Sequence, residues 1–207
     1  MNIEKTKTVG IFGQKGTGKT YLTREMIEVI EKNVIVFDTI GVLNPKNVKM
    51  YEVDKKDITK QAVLFAEICK RTHSNVGVNL KRLIQEEIVE FTQEFLLVLG
   101  VIKDRYFFFD EMADYSPQIG VSSKELVRLV RHGRNEGCTF VFNTQRPAHL
   151  TKNVIGLVDV AIFFRLVWER DIIVVKDVLN NLGKQQINQE IVKITNQKVG
   201  ECKIYKF

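Results

Sequence analysis

Gly13-Gln14-Lys15-Gly16-Thr17-Gly18-Lys19-Thr20 is the stretch on which the fold turns. It follows a short apolar run, Thr8 to Phe12. It precedes a segment, Lys19 to Lys32, whose apolar residues Leu22, Met26, Val29 and Ile30 recur at helical spacing. Strand, glycine turn and helix in that order fit the pattern G-x-x-x-x-G-K-[ST] of a phosphate-binding loop. The spacing has a chemical reason. Glycines let the backbone curl so that successive N–H groups aim at phosphate oxygens, and the helix that opens at the loop adds the positive end of its dipole. Lys19 then reaches the β- and γ-phosphates, and the Thr20 hydroxyl ligates Mg²⁺. The residues expected to contact nucleotide are Gly13, Gln14, Lys15, Gly16, Thr17, Gly18, Lys19, Thr20 and Tyr21. The implied cofactors are ATP and Mg²⁺.

Downstream, Tyr106-Phe107-Phe108-Phe109-Asp110-Glu111 is a buried-strand pattern that delivers two acids at its carboxyl end. With a phosphate-binding loop upstream, this is the layout of a Walker B segment. Asp110 would hold the Mg²⁺ shell, and Glu111 would take a proton from the attacking water. A small-molecule kinase uses its acceptor as nucleophile and has no need of a water-activating glutamate here. The Asp-Glu pair resembles the ASCE division of P-loop NTPases. That resemblance implies hydrolysis coupled to movement, and a strand at Thr139 to Asn143 lying between the loop-bearing strand and the acid-bearing one.

Between these landmarks the chain alternates short apolar strands with helical patterns. Strands are expected at Asn33 to Asp38, Lys49 to Val53, Thr139 to Asn143 and Val158 to Phe164, with an alternating edge strand at Gly200 to Phe207. Residues 60 to 100 read as mostly helical, with a break near Ser74 to Gly77. Ser122 to Arg134 reads as a helix opened by a capping box of Ser122 and Glu125. Further helices are expected at Thr151 to Leu157, Trp168 to Asn180 and Asn188 to Ile194. Pro45, Pro117 and Pro147 fall in loops or at element boundaries. The expected fold is α/β: a three-layer P-loop NTPase of ASCE/RecA-like type, its mainly parallel sheet covered by helices on both faces. One domain spans residues 1–207, with a motif core at 8–165 and a C-terminal extension at 166–207.

The most telling stretch is Arg131-His132-Gly133-Arg134-Asn135-Glu136-Gly137-Cys138-Thr139-Phe140-Val141-Phe142-Asn143-Thr144-Gln145-Arg146-Pro147. R-x-G-R-x-x-G, an apolar strand and T-Q-R-P in succession resemble the HerA/FtsK superfamily of DNA-pumping ATPases. The turn Asp38-Thr39-Ile40-Gly41 is similar to that superfamily's D-x-x-G turn. The resemblance covers about residues 8 to 165 in motif order. It implies that Gln145 is a sensor at the γ-phosphate or the attacking water, and that Arg131 or Arg134 is a finger reaching a neighbouring subunit's ATP. Lys124, Arg128 and Arg131 also fall at i, i+4 and i+7, so a solvated basic helix face is the competing account of Arg131. A bare core of this length looks most like the genome-packaging ATPases of icosahedral viruses with an internal membrane. The implied partners are double-stranded DNA, other copies of the chain in a pentameric or hexameric ring, and capsid or membrane-vertex proteins. The implied location is the host cytoplasm, with association at a virion vertex. The alternatives are a HerA/FtsK-like engine of a secretion, conjugation or phage-assembly machine acting on protein or DNA, and, further off, a small-molecule kinase.

Composition sets bounds around these motifs. The 207 residues carry a formal net charge of +6, which suits an anionic partner. Cys69, Cys138 and Cys202 are far apart and odd in number, which fits neither a disulfide framework nor a zinc site and suits a reducing compartment. Met1 to Lys7 is polar, without an apolar signal segment. The longest apolar run, Phe95 to Ile102, is too short to span a bilayer, so no direct membrane insertion is expected. The loop Met112 to Val121 is the candidate pore loop, and it carries no basic residue.

Overall fold

The computed structural model describes residues 7–206. The polar N-terminal stretch up to residue 6 and Phe207, the last residue of the expected tail strand, lie outside the described residues.

Among the described residues eight strands form one sheet. They are β1 (Thr8–Phe12), β2 (Val34–Asp38), β3 (Lys49–Glu52), β4 (Val76–Asn79), β5 (Tyr106–Phe109), β6 (Thr139–Thr144), β7 (Val160–Phe163) and β8 (Lys203–Lys206). Their order across the sheet is β3-β4-β2-β5-β6-β1-β7-β8. All neighbours pair parallel except β7 with β8, which pair antiparallel at one edge. The helices are α1 (Lys19–Glu28), α2 (Ile58–Arg71), α3 (Gln85–Leu99), α4 (Lys124–His132), α5 (Lys152–Ile155), α6 (Glu169–Asn181) and α7 (Ile187–Thr195). This is the α/β P-loop NTPase fold. Strand β6 lies between the loop-bearing β1 and the acid-bearing β5, as the ASCE arrangement requires.

The central strands are apolar along their length because both faces of the sheet are covered. Their residues alternate between two cores. Phe12, Phe37, Phe107, Phe109, Phe140, Phe142 and Phe163 point to one face and pack against α2 to α7. Val9, Ile11, Val36, Phe108, Val141 and Ile162 point to the other, against Met26 and Ile27 of α1 and Leu43 and Val48 of the β2–β3 loop. The first face is thick with stacked rings. Phe37 lies 4.8 Å from Phe109, and Phe107 lies 5.3 Å from Phe140. Each such buried ring contributes about 2–3 kcal/mol of apolar burial, so this face carries much of the fold's stability.

Several sequence expectations change in the structure. The break expected near Ser74 to Gly77 is itself a strand, β4; Gly77 leaves room there for Met50 and Val36, which a Cβ would meet at 2.5 and 2.9 Å. A four-residue strand of this kind has too little alternation to stand out from its helical neighbours. The cap of α4 is Ser123, whose Oγ accepts from the Leu126 N–H at 3.2 Å; the Ser122–Glu125 capping box does not form. Ser123 is buried and Ser122 is not, so burial selects between two adjacent serines of equal propensity. Helix α1 ends at Glu28, four residues short of the expected Lys32. The helix expected at Thr151 to Leu157 shrinks to the single turn of α5.

Candidate functional site

The phosphate-binding loop leaves the carboxyl end of β1 and is fastened on both sides. Gly13 N–H donates to Thr144 O at 3.3 Å, and Gln14 N–H to Arg165 O at 3.0 Å. Gly13 has to be glycine: a Cβ would lie 2.6 Å from Phe164 Cβ and 2.9 Å from Thr17 Oγ1. Gly16 and Gly18 take the left-handed backbone, φ 77° and 117°, which aims the loop's N–H groups inward. Lys19 is buried, and its Nζ donates to Gln14 O at 2.8 Å, as Thr17 Oγ1 does at 2.7 Å. Burial lowers the Lys19 pKa to about 8, against the upward pull of Glu111 and Asp110. The anionic oxygens of a triphosphate at the loop would favour the ammonium form and pull that pKa back up. Lys15 and Gly16 are exposed and Thr20 is half-buried. Tyr21 is exposed on α1 at 67%, and the structure gives it no partner that ties it to the loop.

The two acids of β5 sit at the same carboxyl edge, held by the end of β6. Asn143 Nδ2 donates to Asp110 Oδ1 at 2.7 Å, while Asn143 Oδ1 accepts from the Glu111 N–H at 3.0 Å. Thr144 Oγ1 donates to the Glu111 carboxylate, and the Gln145 N–H reaches both its oxygens at 3.2 and 3.0 Å. Glu111 adopts a left-handed backbone, φ 48°, which costs on the order of 1 kcal/mol for a non-glycine residue. Those four hydrogen bonds hold it there. Burial raises the Glu111 carboxyl above its usual range, opposed by the Thr144 and Gln145 bonds. Asp110 is pushed up to about 7, first by burial, with Asp38 and Glu111 adding to the shift and Asn143 opposing it.

Asp110 Oδ2 is buried and has no hydrogen-bond partner among the described residues. An orphaned carboxylate oxygen beside a phosphate loop suits a hydrated Mg²⁺ held also by the Thr20 hydroxyl and the nucleotide's own phosphates. Among the described residues no group of three His, Cys, Asp or Glu could hold a metal by itself. Asp38, in the D-x-x-G turn, is not a ligand in this arrangement: it accepts from the N–H groups of Ile40, Gly41 and Leu43 at 3.2, 2.7 and 2.9 Å and fixes that turn.

Gln145 lies at the tip of β6 and lines a cleft of about 840 Å³ with Glu111, Arg146, Lys152 and Arg170. Arg146 stacks over Trp168 at 4.2 Å and lies 3.8 Å from buried Asp171, so it braces the loop after Gln145. Arg131 and Arg134 are elsewhere. Arg134 pairs with Asp159 at 3.2 Å, and the same carboxylate accepts from the Thr8 N–H at the amino end of β1. The length of β1, about 17 Å at 3.3 Å per residue, separates this corner from Lys19. Arg131 is exposed and has no ion pair among the described residues. Neither arginine reaches the nucleotide seat of its own chain. The glycines of that motif have packing reasons: a Cβ on Gly133 would lie 2.7 Å from the Phe140 ring, and one on Gly137 2.5 Å from Asp104 Oδ1.

The structure thus brings together the loop, Lys19, Asp110, Glu111 and the Gln145 backbone. It adds Asn143, which the sequence reading took as the end of an apolar strand, and Thr144, which it took only as the first residue of T-Q-R-P. Two polar residues closing a buried strand just before Gln145 were the available signal.

Neither a protein-family model nor a curated protein sequence matches the chain. Solved structures do. The genome packaging NTPase B204 from Sulfolobus turreted icosahedral virus 2, in complex with AMPPCP, is similar at a TM-score of 0.63 and 16% identity, over 100% of this chain and 99% of that one. The same protein in complex with AMP gives 0.64 and 16%, over 100% and 94%. B204, the DNA-packaging ATPase from Sulfolobus Turreted Icosahedral Virus, gives 0.62 and 16%, over 99% and 98%. At this identity the likeness is one of fold, and it runs the length of both chains.

Proposed function

We propose that this chain is a single-domain, Mg²⁺-dependent ATPase of the HerA/FtsK type that moves double-stranded DNA, with viral genome packaging as its task. The observation that carries the reading is the join between β5 and β6: Glu111, poised to activate water, is hydrogen-bonded to Thr144 and Gln145 beside Lys19. A phosphate-binding loop alone would fit many nucleotide-binding proteins. A loop plus a braced, burial-raised glutamate at the adjacent strand fits hydrolysis. The full-length likeness in fold to B204, named as a genome packaging NTPase, supports packaging over the other engines of this fold.

In this reading the loop N–H groups and Lys19 bind the β- and γ-phosphates. Bound Mg²⁺ would neutralise phosphate charge, held by Thr20 and Asp110. Glu111 accepts the proton of the attacking water, and Gln145 orients that water against the γ-phosphate. Thr144 and Asn143 keep Glu111 and Asp110 in place. Arg134 stands at the amino end of β1, and Arg131 is exposed three residues before it; in this reading one of them completes a neighbour's site within a pentameric or hexameric ring. The loop Met112 to Val121 lacks basic residues, but Lys152 and Arg170 lie across the cleft from it and can meet DNA phosphates. Docking to a capsid or membrane-vertex protein would place the ring at a virion vertex in the host cytoplasm. Among the described residues no helix is long and apolar enough to cross a membrane.

Phosphate release by the purified chain, measured with and without duplex DNA, tests the proposal. DNA should stimulate turnover, and rising salt should remove the stimulation. Mixing Lys19→Ala with Arg131→Ala or Arg134→Ala should restore activity for whichever arginine acts in trans. Turnover unaffected by Lys19→Ala or by DNA would overturn the reading.

A further inference from the structure

The backbone of Gln145 is bonded and its side-chain amide is not. Its N–H reaches both oxygens of Glu111, and among the described residues no hydrogen bond holds the amide that faces the cleft. The direction of that amide therefore depends on the chain that follows it. Pro147 has no N–H to donate and keeps Arg146 out of the helical region, at φ −130° and ψ 79°. The His149 N–H then closes a turn on Arg146 O at 2.9 Å. The Arg146 N–H donates to Thr144 Oγ1 at 3.3 Å, the hydroxyl that itself bonds Glu111.

This turn is gripped from its far side by α6, in the C-terminal extension. Asp171 lies in the first turn of α6 and is 1% exposed. An acid in a helix's first turn ordinarily serves the free N–H groups of its own helix. Asp171 instead accepts from the Ala148 N–H at 3.0 Å, 23 positions away in the chain. Its Oδ2 is buried, has no hydrogen-bond partner among the described residues, and lies 3.8 Å from Arg146 Nη1. Taking a carboxylate out of water is costly, and what this one holds is the turn after Gln145. The Arg146 guanidinium lies 4.2 Å from the centroid of Trp168, the residue that caps the same helix. Trp168 is 56% exposed, so burial does not account for a large ring there; the face it offers the guanidinium does.

We infer that Trp168 and Asp171 are positioning residues for hydrolysis: through Arg146 and Ala148 they fix the turn that aims the Gln145 amide. The inference rests on the reading of Gln145 as the group that orients the attacking water. It adds the part of the C-terminal extension on which that orientation depends. Alignment of the water counts in the transition state and hardly at all in the binding of ATP. Loss of the grip on the turn therefore lowers kcat and leaves KM in place.

Steady-state phosphate release by the full chain with ATP and Mg²⁺, with melting temperatures alongside, tests this. Trp168→Ala should lower kcat by about fivefold to tenfold and move KM for ATP by less than about twofold. Trp168→Phe keeps a ring face for the guanidinium and should recover most of the loss. Asp171→Asn keeps an oxygen for the Ala148 N–H, removes the charge opposite Arg146, and should lower kcat in the same way. Trp168 is more than half exposed, so its variants should melt near the native temperature and decide the matter even if Asp171→Asn does not fold. In a Gln145→Ala background, Trp168→Ala should lower kcat by less than about twofold further, because no amide is left to aim. Full additivity of the two losses would overturn the inference. So would a raised KM at unchanged kcat in Trp168→Ala, which would make the ring a nucleotide contact. If the native chain releases no phosphate, or Gln145→Ala keeps the native kcat, the reading of Gln145 fails and this inference with it. If Gln145→Ala lowers kcat and Trp168→Ala does not, that reading stands and this inference falls.

Discussion

The two edges of the sheet are built from similar residues to opposite ends. At the amino edge, polar side chains close the fold. Asn75 accepts from Val34 N–H at 3.0 Å and donates to Ile30 O and Glu31 O at 2.9 and 3.3 Å. Asp159 holds the Thr8 N–H at 2.8 Å and Arg134 at 3.2 Å, and Arg105 donates to Cys69 O at 3.0 Å. At the carboxyl edge, polar atoms are left over. Asp110 Oδ2, Tyr115 OH and Ser116 Oγ are buried without hydrogen-bond partners. The amino edge has its own exceptions, Thr8 Oγ1 and Arg105 Nε, but these are single atoms apart from one another in the sequence. At the carboxyl edge Asp110 is itself one of the two acids, and Tyr115, whose pKa is raised first by burial, also feels the charges of Asp110 and Glu111. Its backbone is strained as well: left-handed residues at the amino edge are Asn33 and Asp104, types that tolerate it, whereas the carboxyl edge holds a glutamate there. The difference teaches that one edge uses polarity to finish the fold and the other keeps it in reserve for a ligand.

The largest expected effects break this contrast at the carboxyl edge. Lys19→Ala and Glu111→Gln should each lower ATP turnover by about 10²–10⁴-fold, measured as phosphate release. Their melting temperatures should stay near the native one. Collapse of the fold in Glu111→Gln would make that edge structural too. Asn75→Ala is the converse at the amino edge. It removes the partners of three backbone groups and should cost about 2–3 kcal/mol in denaturant unfolding, with turnover per folded molecule unchanged. A drop in turnover at constant folded fraction would mean that the two edges are coupled.

Smaller changes sharpen the contrast. Thr144→Val leaves Glu111 the Gln145 N–H and removes the hydroxyl. We expect kcat to fall by about tenfold with KM for ATP little changed, and Thr144→Ser to recover most of it. Failure of the serine to recover activity would assign the threonine methyl, and not its hydroxyl, to the role. The smallest effect is expected at Arg134→Ala. Its partner Asp159 is mostly buried but Arg134 itself is 40% exposed, so the pair should contribute under about 1 kcal/mol to stability. A large loss of turnover in that variant, regained on mixing with Lys19→Ala, would show that the arginine serves a neighbour's site.

What the sequence determined by itself is the material of the protein. The phosphate loop, its strand and its helix, the paired acids and the run of short apolar strands were all legible, because each is written in consecutive residues whose spacing is fixed by local backbone geometry. The place of β6 between β1 and β5 was legible only through resemblance, and β4 was not legible at all, since its four residues include a glycine and sit between two long helical patterns. The tertiary structure decided which polar residues matter. Asn143 meets Asp110 across 33 positions, Thr144 meets Glu111 across 33, and Gly200 meets Thr17 across the length of the chain. Such pairings carry no local signal: they exist because parallel strands bring their carboxyl ends to one edge, and an amide or hydroxyl there acquires its partner from the neighbouring strand. Gln197 is the extreme case: only packing shows that this surface-type residue is buried, with neither amide atom hydrogen-bonded among the described residues.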